Sequence, residues 1–429
     1  MRRIQLFLTF WLLSIAGTCG HHEVAKHPTP KTETQPATGA ASAPAVHALE
    51  DSTEARDDTN HRPQNAKKTD HETSTQAQPS HRRTEHSPAI VENNRVTTVP
   101  VPDGGRPIAA KTGADETVHL LFDSADGPQY ATSADNGRTF GSTIAVVDRA
   151  SRKPGLEFGA WDMAVGQGGM VHVALGTNAW KLKLPQEEWG FYYARLEPGA
   201  NAFSKLRNIN HTPSEGFSLA CDENGRVTAC WLKDKLYANV SRDNGETFAD
   251  SVEIDPSLDP CNCCTTSSIY RADGKLEVLY REETNNERDM FLVSWDQDRN
   301  QVSRTRVSGT PWKIEACPMS YYSISRLQDG FAAVWPTKDE IYFARLDSHG
   351  KYLPPAEIKT PGRSGMRTGI IALSTTDGST LVAWKKDEQL GWQLYDVQGR
   401  PSGSPGSASS SGNGVAGIAD NDGNFVLFR

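Results

Sequence analysis

Ser133-Ala134-Asp135-Asn136-Gly137-Arg138-Thr139-Phe140 and Ser241-Arg242-Asp243-Asn244-Gly245-Glu246-Thr247-Phe248 are two copies of one pattern, S-x-D-x-G-x-T-F. Each residue type has a mechanical part in a tight turn. The Asp carboxylate accepts backbone N–H groups, and Gly supplies a positive φ that other residues resist. Thr adds a hydroxyl, and Phe supplies an apolar ring that seats between sheets. Degraded copies stand at Asp296–Ser303, Asp347–Pro354 and Asp396–Gly403. Asp135, Gly137, Phe140, Asp243, Gly245 and Phe248 are therefore read as structural residues.

Outward from these turns, a longer repeat appears. Similar segments begin near Arg106, Trp161, Phe217, Thr266, Tyr322, Thr368 and Val415, about 50 residues apart. Each opens with an apolar strand, a Gly-containing turn and a β-rich strand, as in MAVGQGGMVHVAL (163–175), SLACDENGRVTACWL (218–232) and IALSTTDGSTLVAW (371–384). A third strand follows, as in GPQYATS (127–133), KLYANVS (235–241) and EIYFARL (340–346). A short fourth completes the unit, as in SVEID (251–255) and AEIKT (356–360). This order predicts an all-β propeller of four-stranded blades. Six blades are complete. Val415–Arg429 offers only two strands, and RVTTVPVP (95–102) is placed to complete a seventh and close the ring. Seven blades are favoured over six, because closure removes free sheet edges.

The remaining chain has a different character. Residues 1–19 read as a signal peptide. Arg2 and Arg3 precede an apolar run that ends in Ala16-Gly17-Thr18-Cys19, a lipobox-like end in which Cys19 would carry lipid. Residues 20–90 are rich in Thr, Ser, Pro, Gln, Lys, Asp and His, and nearly free of aromatic and branched apolar residues. They read as a disordered tether. Eight of the 12 histidines lie in it without fixed spacing, and are assigned no metal. Residues 91–429 form the propeller domain. A net charge of −8 argues against a nucleic-acid binder, which needs a basic face. The expected location is the cell envelope of a bacterium, with membrane contact only through the N-terminal anchor.

Of the seven cysteines, six fall in the domain: Cys221, Cys230, Cys261, Cys263, Cys264 and Cys317. An even set in an exported domain reads as disulfides. Cys221 and Cys230 flank an Asp-Glu-Asn-Gly turn and are expected to face each other. One cysteine of the Cys261-x-Cys263-Cys264 cluster would pair with Cys317. The rival reading is a four-thiolate metal site. The disulfide reading implies neither metal nor cofactor.

The turns and the repeat resemble the Asp-box (BNR) family, whose best-known members are sialidases. In that family the box joins the third and fourth strands, away from the ligand face. The resemblance implies a search for the sialidase kit: an arginine triad for a carboxylate, an Asp acid, and a Tyr–Glu nucleophile. Arg106-Pro107-Ile108 stands where the family's first arginine motif reads R-I-P, with its letters permuted. Arg106 is the leading ligand-contact candidate. By position, Asp162 is the candidate acid and Tyr322 the candidate nucleophile. Arg281, Glu282 and Arg367 are candidate ligand contacts. Each also has a plainer reading: Asp162 as a turn cap, Tyr322 as a packed aromatic, and Arg281 with Glu282 as an ion pair.

The stretch from CNCC (261–264) through YRE (280–282) to W-x-I-x-x-CP (312–318) also resembles a branch of exported bacterial Asp-box propellers. There the cysteines are implied to staple blades four and five near the ligand face. The expected function is an envelope propeller that binds a glycan or protein ligand. The alternatives are a glycoside hydrolase or lyase acting on acidic sugar, and a metal- or redox-linked propeller.

Overall fold

The computed structural model describes residues 91–429, apart from Asn94 and Leu258. The signal segment, Cys19 and the tether lie outside the described residues. The domain is a propeller of seven four-stranded sheets. The first six blades take their strands in sequence order, from the centre outward, over residues 106–145, 158–208, 215–255, 266–306, 323–363 and 370–409. The seventh combines Ala416–Ala419 and Phe425–Phe428 with Val96–Val99 and Val91–Asn93. Each inner strand begins within three residues of the repeat start read from the sequence.

The second strand of each blade lies between two neighbours and is covered on both faces. Its sequence is accordingly a near-continuous apolar run: VTACWL (Val227–Leu232) and GFAAVWPT (Gly330–Thr337) are buried at every position. Outer strands face solvent and turn polar, as in QVSRTR (Gln301–Arg306). The apolar side chains form seven clusters, one between each pair of adjacent blades. There is no single central core. A ring of interfaces holds the domain, at roughly 1.5–3 kcal/mol for each large apolar side chain buried.

The two S-x-D-x-G-x-T-F turns adopt one geometry. Gly245 N–H donates to Ser241 Oγ at 2.9 Å, Thr247 N–H to Asp243 Oδ1 at 2.9 Å and Thr247 Oγ1 to Asp243 Oδ2 at 2.6 Å. Ser133, Asp135, Gly137 and Thr139 repeat the set. Gly137 and Gly245 hold φ of 76° and 78°. Each Phe packs edge-on against the preceding blade: Phe140 on Phe428 of the closing blade, and Phe248 on Tyr193.

Ring closure uses both ends of the domain. Val96–Val99 pairs with Phe425–Phe428 in parallel, whereas all other named strand pairings among the described residues are antiparallel. Beyond the pair, Val101 N–H donates to the Arg429 carbonyl at 2.9 Å, and Arg429 N–H donates to that of Val99 at 3.0 Å.

One expectation is corrected here. Cys221 and Cys230 do not face each other: Cys221 lies opposite Val227, and Cys230 opposite Ser218. The turn between the strands spans Asp222 to Arg226, closed by the Asp222 N–H to Arg226 carbonyl bond. That register separates the two sulfurs, and both are free thiols.

Candidate functional site

Each inner strand runs from an entry end to the end where the S-x-D-x-G-x-T-F turns lie. Together the inner strands line a central channel of about 760 Å³. Polar side chains of the inner strands, and Asp123 of the second strand of blade one, clip neighbouring blades to one another. Asp123 Oδ1 accepts the Ala160 N–H at 3.1 Å, and Asp162 Oδ2 accepts the Leu219 N–H at 2.8 Å. Ser267 Oγ accepts from Ile324 N–H at 3.2 Å, and Ser323 Oγ from Ala372 N–H at 3.4 Å. The channel wall is thus a hydrogen-bonded hoop, in which the backbone donors of adjoining blades find partners.

This hoop absorbs the candidate acid. Asp162 lies in mid-strand, within Phe158–Val165, at a bulge beside Ala160. Its Oδ1 accepts the Met163 N–H at 2.8 Å, so both oxygens hold backbone. Burial pushes its carboxyl upward, against the charge of Lys111 and the two N–H donors. The structure makes it a clip between blades two and three.

Three further candidates sit behind the wall. The Tyr322 hydroxyl donates to the Thr265 carbonyl and accepts the Arg281 N–H at 3.0 Å. Tyr322 is buried, and burial holds its hydroxyl well above its ordinary pKa, so it is a packed aromatic and not a nucleophile. Arg281 is 0 % exposed. Its guanidinium donates to Ser320 Oγ and to the carbonyls of Arg288 and Pro336, and lies 4.9 Å from the Trp312 ring centre. Glu282 is buried and forms no ion pair with Arg281 among the described residues. None of the three reaches the channel with a free polar group.

Arg106 and Arg367 do come together, at the entry mouth. Arg106 Nη2 pairs with Asp123 Oδ2 at 2.5 Å, Nη1 donates to Asn413 Oδ1 at 3.2 Å, and about a third of the side chain (34 %) remains exposed. Asn413 also donates Nδ2–H to the Arg367 carbonyl at 2.9 Å, tying the two arginine positions to one asparagine. Arg367 takes φ 53° and its N–H donates to the Met319 carbonyl at 2.9 Å, so its backbone is fixed. Its exposed guanidinium has no hydrogen-bond or ion-pair partner among the described residues.

Two residues that the sequence did not single out complete the mouth. Burial raises the Tyr321 hydroxyl, Arg106 and Arg367 pull it back down, and Glu215 adds to the rise. Arg106, Arg367 and Glu215 are therefore each within electrostatic reach of Tyr321, and Arg367 is within reach of Glu215. The Glu215 carboxyl keeps accessible surface, yet loss of solvation raises its pKa and Arg367 offsets part of that rise. Below them, Trp161 and Phe217 meet edge to face at 5.2 Å and give the wall an aromatic surface. Tyr321 was hidden because its neighbour Tyr322 drew the assignment. In an extended segment adjacent side chains point to opposite faces.

The cysteines lie at the same end of blades four and five. Cys263 and Cys317 form the one disulfide among the described residues. Cys261 and Cys264 are free thiols, which corrects the expectation of full pairing. Both are buried, and Cys264 Sγ hydrogen-bonds Cys261 Sγ at 3.3 Å.

No known family model matches the chain, and no curated protein matches it. Among solved structures, a protein of unknown function from Dyadobacter fermentans aligns at 10% identity and TM-score 0.47, over 73% of this chain and 97% of that one. An ulvan lyase, described as a polysaccharide lyase of a new family, aligns at 12% identity and TM-score 0.48, over 74% and 88%. The SapL1 lectin in complex with alpha methyl fucoside aligns at 12% identity and TM-score 0.41, over 72% and 96%. These are likenesses of fold.

Proposed function

We propose that this propeller binds an acidic glycan, carboxylated or sulfated, at the entry mouth of its channel. The observation that carries this reading is that Arg106 and Arg367 share one mouth, with the Arg367 guanidinium unpaired among the described residues. A guanidinium presents N–H groups in a fork that fits a carboxylate or sulfate. Trp161 and Phe217 offer the apolar surface on which a sugar ring packs. We place the chain among Asp-box propellers on the strength of its two S-x-D-x-G-x-T-F turns. We read it as an exported lipoprotein anchored through Cys19.

Binding is favoured over hydrolysis because the sialidase kit is incomplete. Arg281 is committed behind the wall, so the mouth has two arginines where the kit has three. A second reading rests on Tyr321 and Glu215, which share the mouth with those arginines. A Tyr activated by a carboxylate beside an arginine pair is the nucleophile arrangement of a sialidase-type glycoside hydrolase.

A glycan array followed by calorimetric titration tests the first reading. Uronate-, sialate- or sulfate-bearing glycans are expected to bind, with neutral glycans at least about tenfold weaker. Arg367→Ala is expected to remove most of that preference without changing Tm. Equal binding of neutral glycans, or no effect of Arg367→Ala, would count against it. Fluorogenic sialosides and uronides separate the second reading: turnover abolished in Tyr321→Phe supports it, and absence of turnover in wild type removes it. Cys19→Ser is expected to release the protein from membranes into the soluble fraction.

A further inference from the structure

Three of the cysteines behind the mouth are closer than a staple requires, and the fourth, Cys264, touches one of them, Cys261. Cys261 Sγ lies 3.3 Å from Cys264 Sγ and 3.7 Å from Cys317 Sγ. The sulfurs of Cys261, Cys263 and Cys317 all fall within 4.8 Å of one another. A tetrahedral thiolate site with metal–sulfur bonds of about 2.3 Å places its sulfurs about 3.8 Å apart. The backbone around them is fixed. Cys261 N–H donates to the Arg281 carbonyl at 2.8 Å, and Cys264 N–H to the Cys261 carbonyl at 3.0 Å. Met319 N–H points at Cys317 Sγ at 3.4 Å.

The charges around the cluster match it. Arg288 Nη1 donates to Cys261 Sγ at 3.2 Å. Arg281 is fully buried, and none of its acceptors is a carboxylate: they are Ser320 Oγ and two carbonyls. Ser320 Oγ in turn lies 3.4 Å from Cys264 Sγ. A buried cation without a counter-charge is costly. Four thiolates around a divalent ion carry a net charge of −2, opposite in sign to Arg281 and to Arg288, whose Nη2 also lies 4.0 Å from Glu283 Oε1. Cys263 and Cys317 retain accessible surface, whereas Cys261 and Cys264 do not. The bond that must open is therefore the reachable one.

We propose that Cys261, Cys263, Cys264 and Cys317 form a redox-gated site for a thiophilic divalent cation of the zinc class, closed while the Cys263–Cys317 disulfide stands and opened by its reduction. A dithiol reductant would deliver two electrons and two protons to the two sulfurs and leave as its own disulfide. The cation then takes four thiolates and releases the thiol protons to solvent. The site is separate from the glycan mouth and does not depend on it.

The test uses the full chain, reduced anaerobically with a phosphine, desalted, and titrated with Co²⁺ and then Zn²⁺. Reduced wild type is expected to hold one metal per chain and to show the intense sulfur-to-cobalt charge-transfer band of a four-thiolate site. The oxidised chain is expected to show neither. Cys317→Ser and Cys263→Ser are expected to weaken binding at least 100-fold, and Arg288→Gln about tenfold, as outer-shell partners of metal ligands do. Cys221→Ser and Cys230→Ser, whose thiols lie outside the cluster, are expected to bind as wild type does. The wild-type spectrum reports thiolate ligation even if a cysteine variant fails to fold. Three results would overturn the proposal: no metal on the reduced chain, a bound metal without the charge-transfer band, or equal binding by the oxidised chain.

Discussion

At the scale of single residues, the turns and the buried histidines make distinct predictions. Asp243 is solvent-exposed, yet its carboxylate collects the N–H and hydroxyl of Thr247 and the hydroxyl of Ser241. Asp243→Ala is expected to cost about 1–2 kcal/mol in urea denaturation, the price of unmade turn hydrogen bonds. His172 is 0 % exposed, with Nδ1 at 2.6 Å from the Tyr193 hydroxyl. Burial lowers its pKa from 6.5 to about 4. Between those values the unfolded chain holds a proton that the folded chain does not, so the stability tied to His172 falls as pH falls through that window. Glu277 has the opposite sign, because burial raises its carboxyl from 4.5 to about 7 and the folded chain takes up its proton first. The difference between wild type and His172→Gln isolates the histidine. That difference is expected to shift by roughly 2–3 kcal/mol against wild type between pH 7 and pH 4.5. A pH-independent difference would mean that the ring is not held neutral.

At the scale of elements, the closing blade carries the sharpest prediction. Val96, Val99, Val101, Phe425 and Phe428 are buried where the N-terminal strand meets the C-terminal pair. A chain beginning at Pro102 would leave Phe425–Phe428 as an unpaired apolar edge. It is expected to lose cooperative thermal unfolding and to elute as aggregate. A monomer with wild-type Tm would argue that Val96–Val99 does not close the ring. Strand identity was largely legible in the sequence: Gly127–Ser133 is the third strand of the first blade in both readings. Register was not. Cys221 and Cys230 were expected to face each other because a turn lay between them, but turn length sets which residues pair, and a shift of one residue moves every side chain to the other face. The same parity separates Tyr321, at the mouth, from Tyr322, in the core.

At the scale of the whole molecule, the ring couples the mouth to global stability. Arg106 and Glu215 belong to blades one and three, and Tyr321, Arg367 and Asn413 to the approaches to blades five, six and seven, so a ligand that bridges them binds only the closed ring. An acidic glycan at 100 times its Kd is expected to add about 2.7 kcal/mol to unfolding. The Tm rise should vanish in Arg367→Ala and be absent with neutral sugars. By itself the sequence determined the propeller, its blade boundaries, the two ends that share the closing blade, and which residues build the turns. Those features depend on local chemistry and on a repeat, both of which are written linearly. Only the tertiary structure decided that Asp162 clips two blades, that Arg281 and Tyr322 lie behind the wall, and that Cys263 takes Cys317 while Cys261 and Cys264 stay thiols. It also brought Arg367 and Arg106 to Tyr321 and Glu215. Those outcomes depend on which way a side chain points and on which distant strand stands opposite it. No spacing along the chain encodes either, because closing the ring juxtaposes residues up to several hundred positions apart.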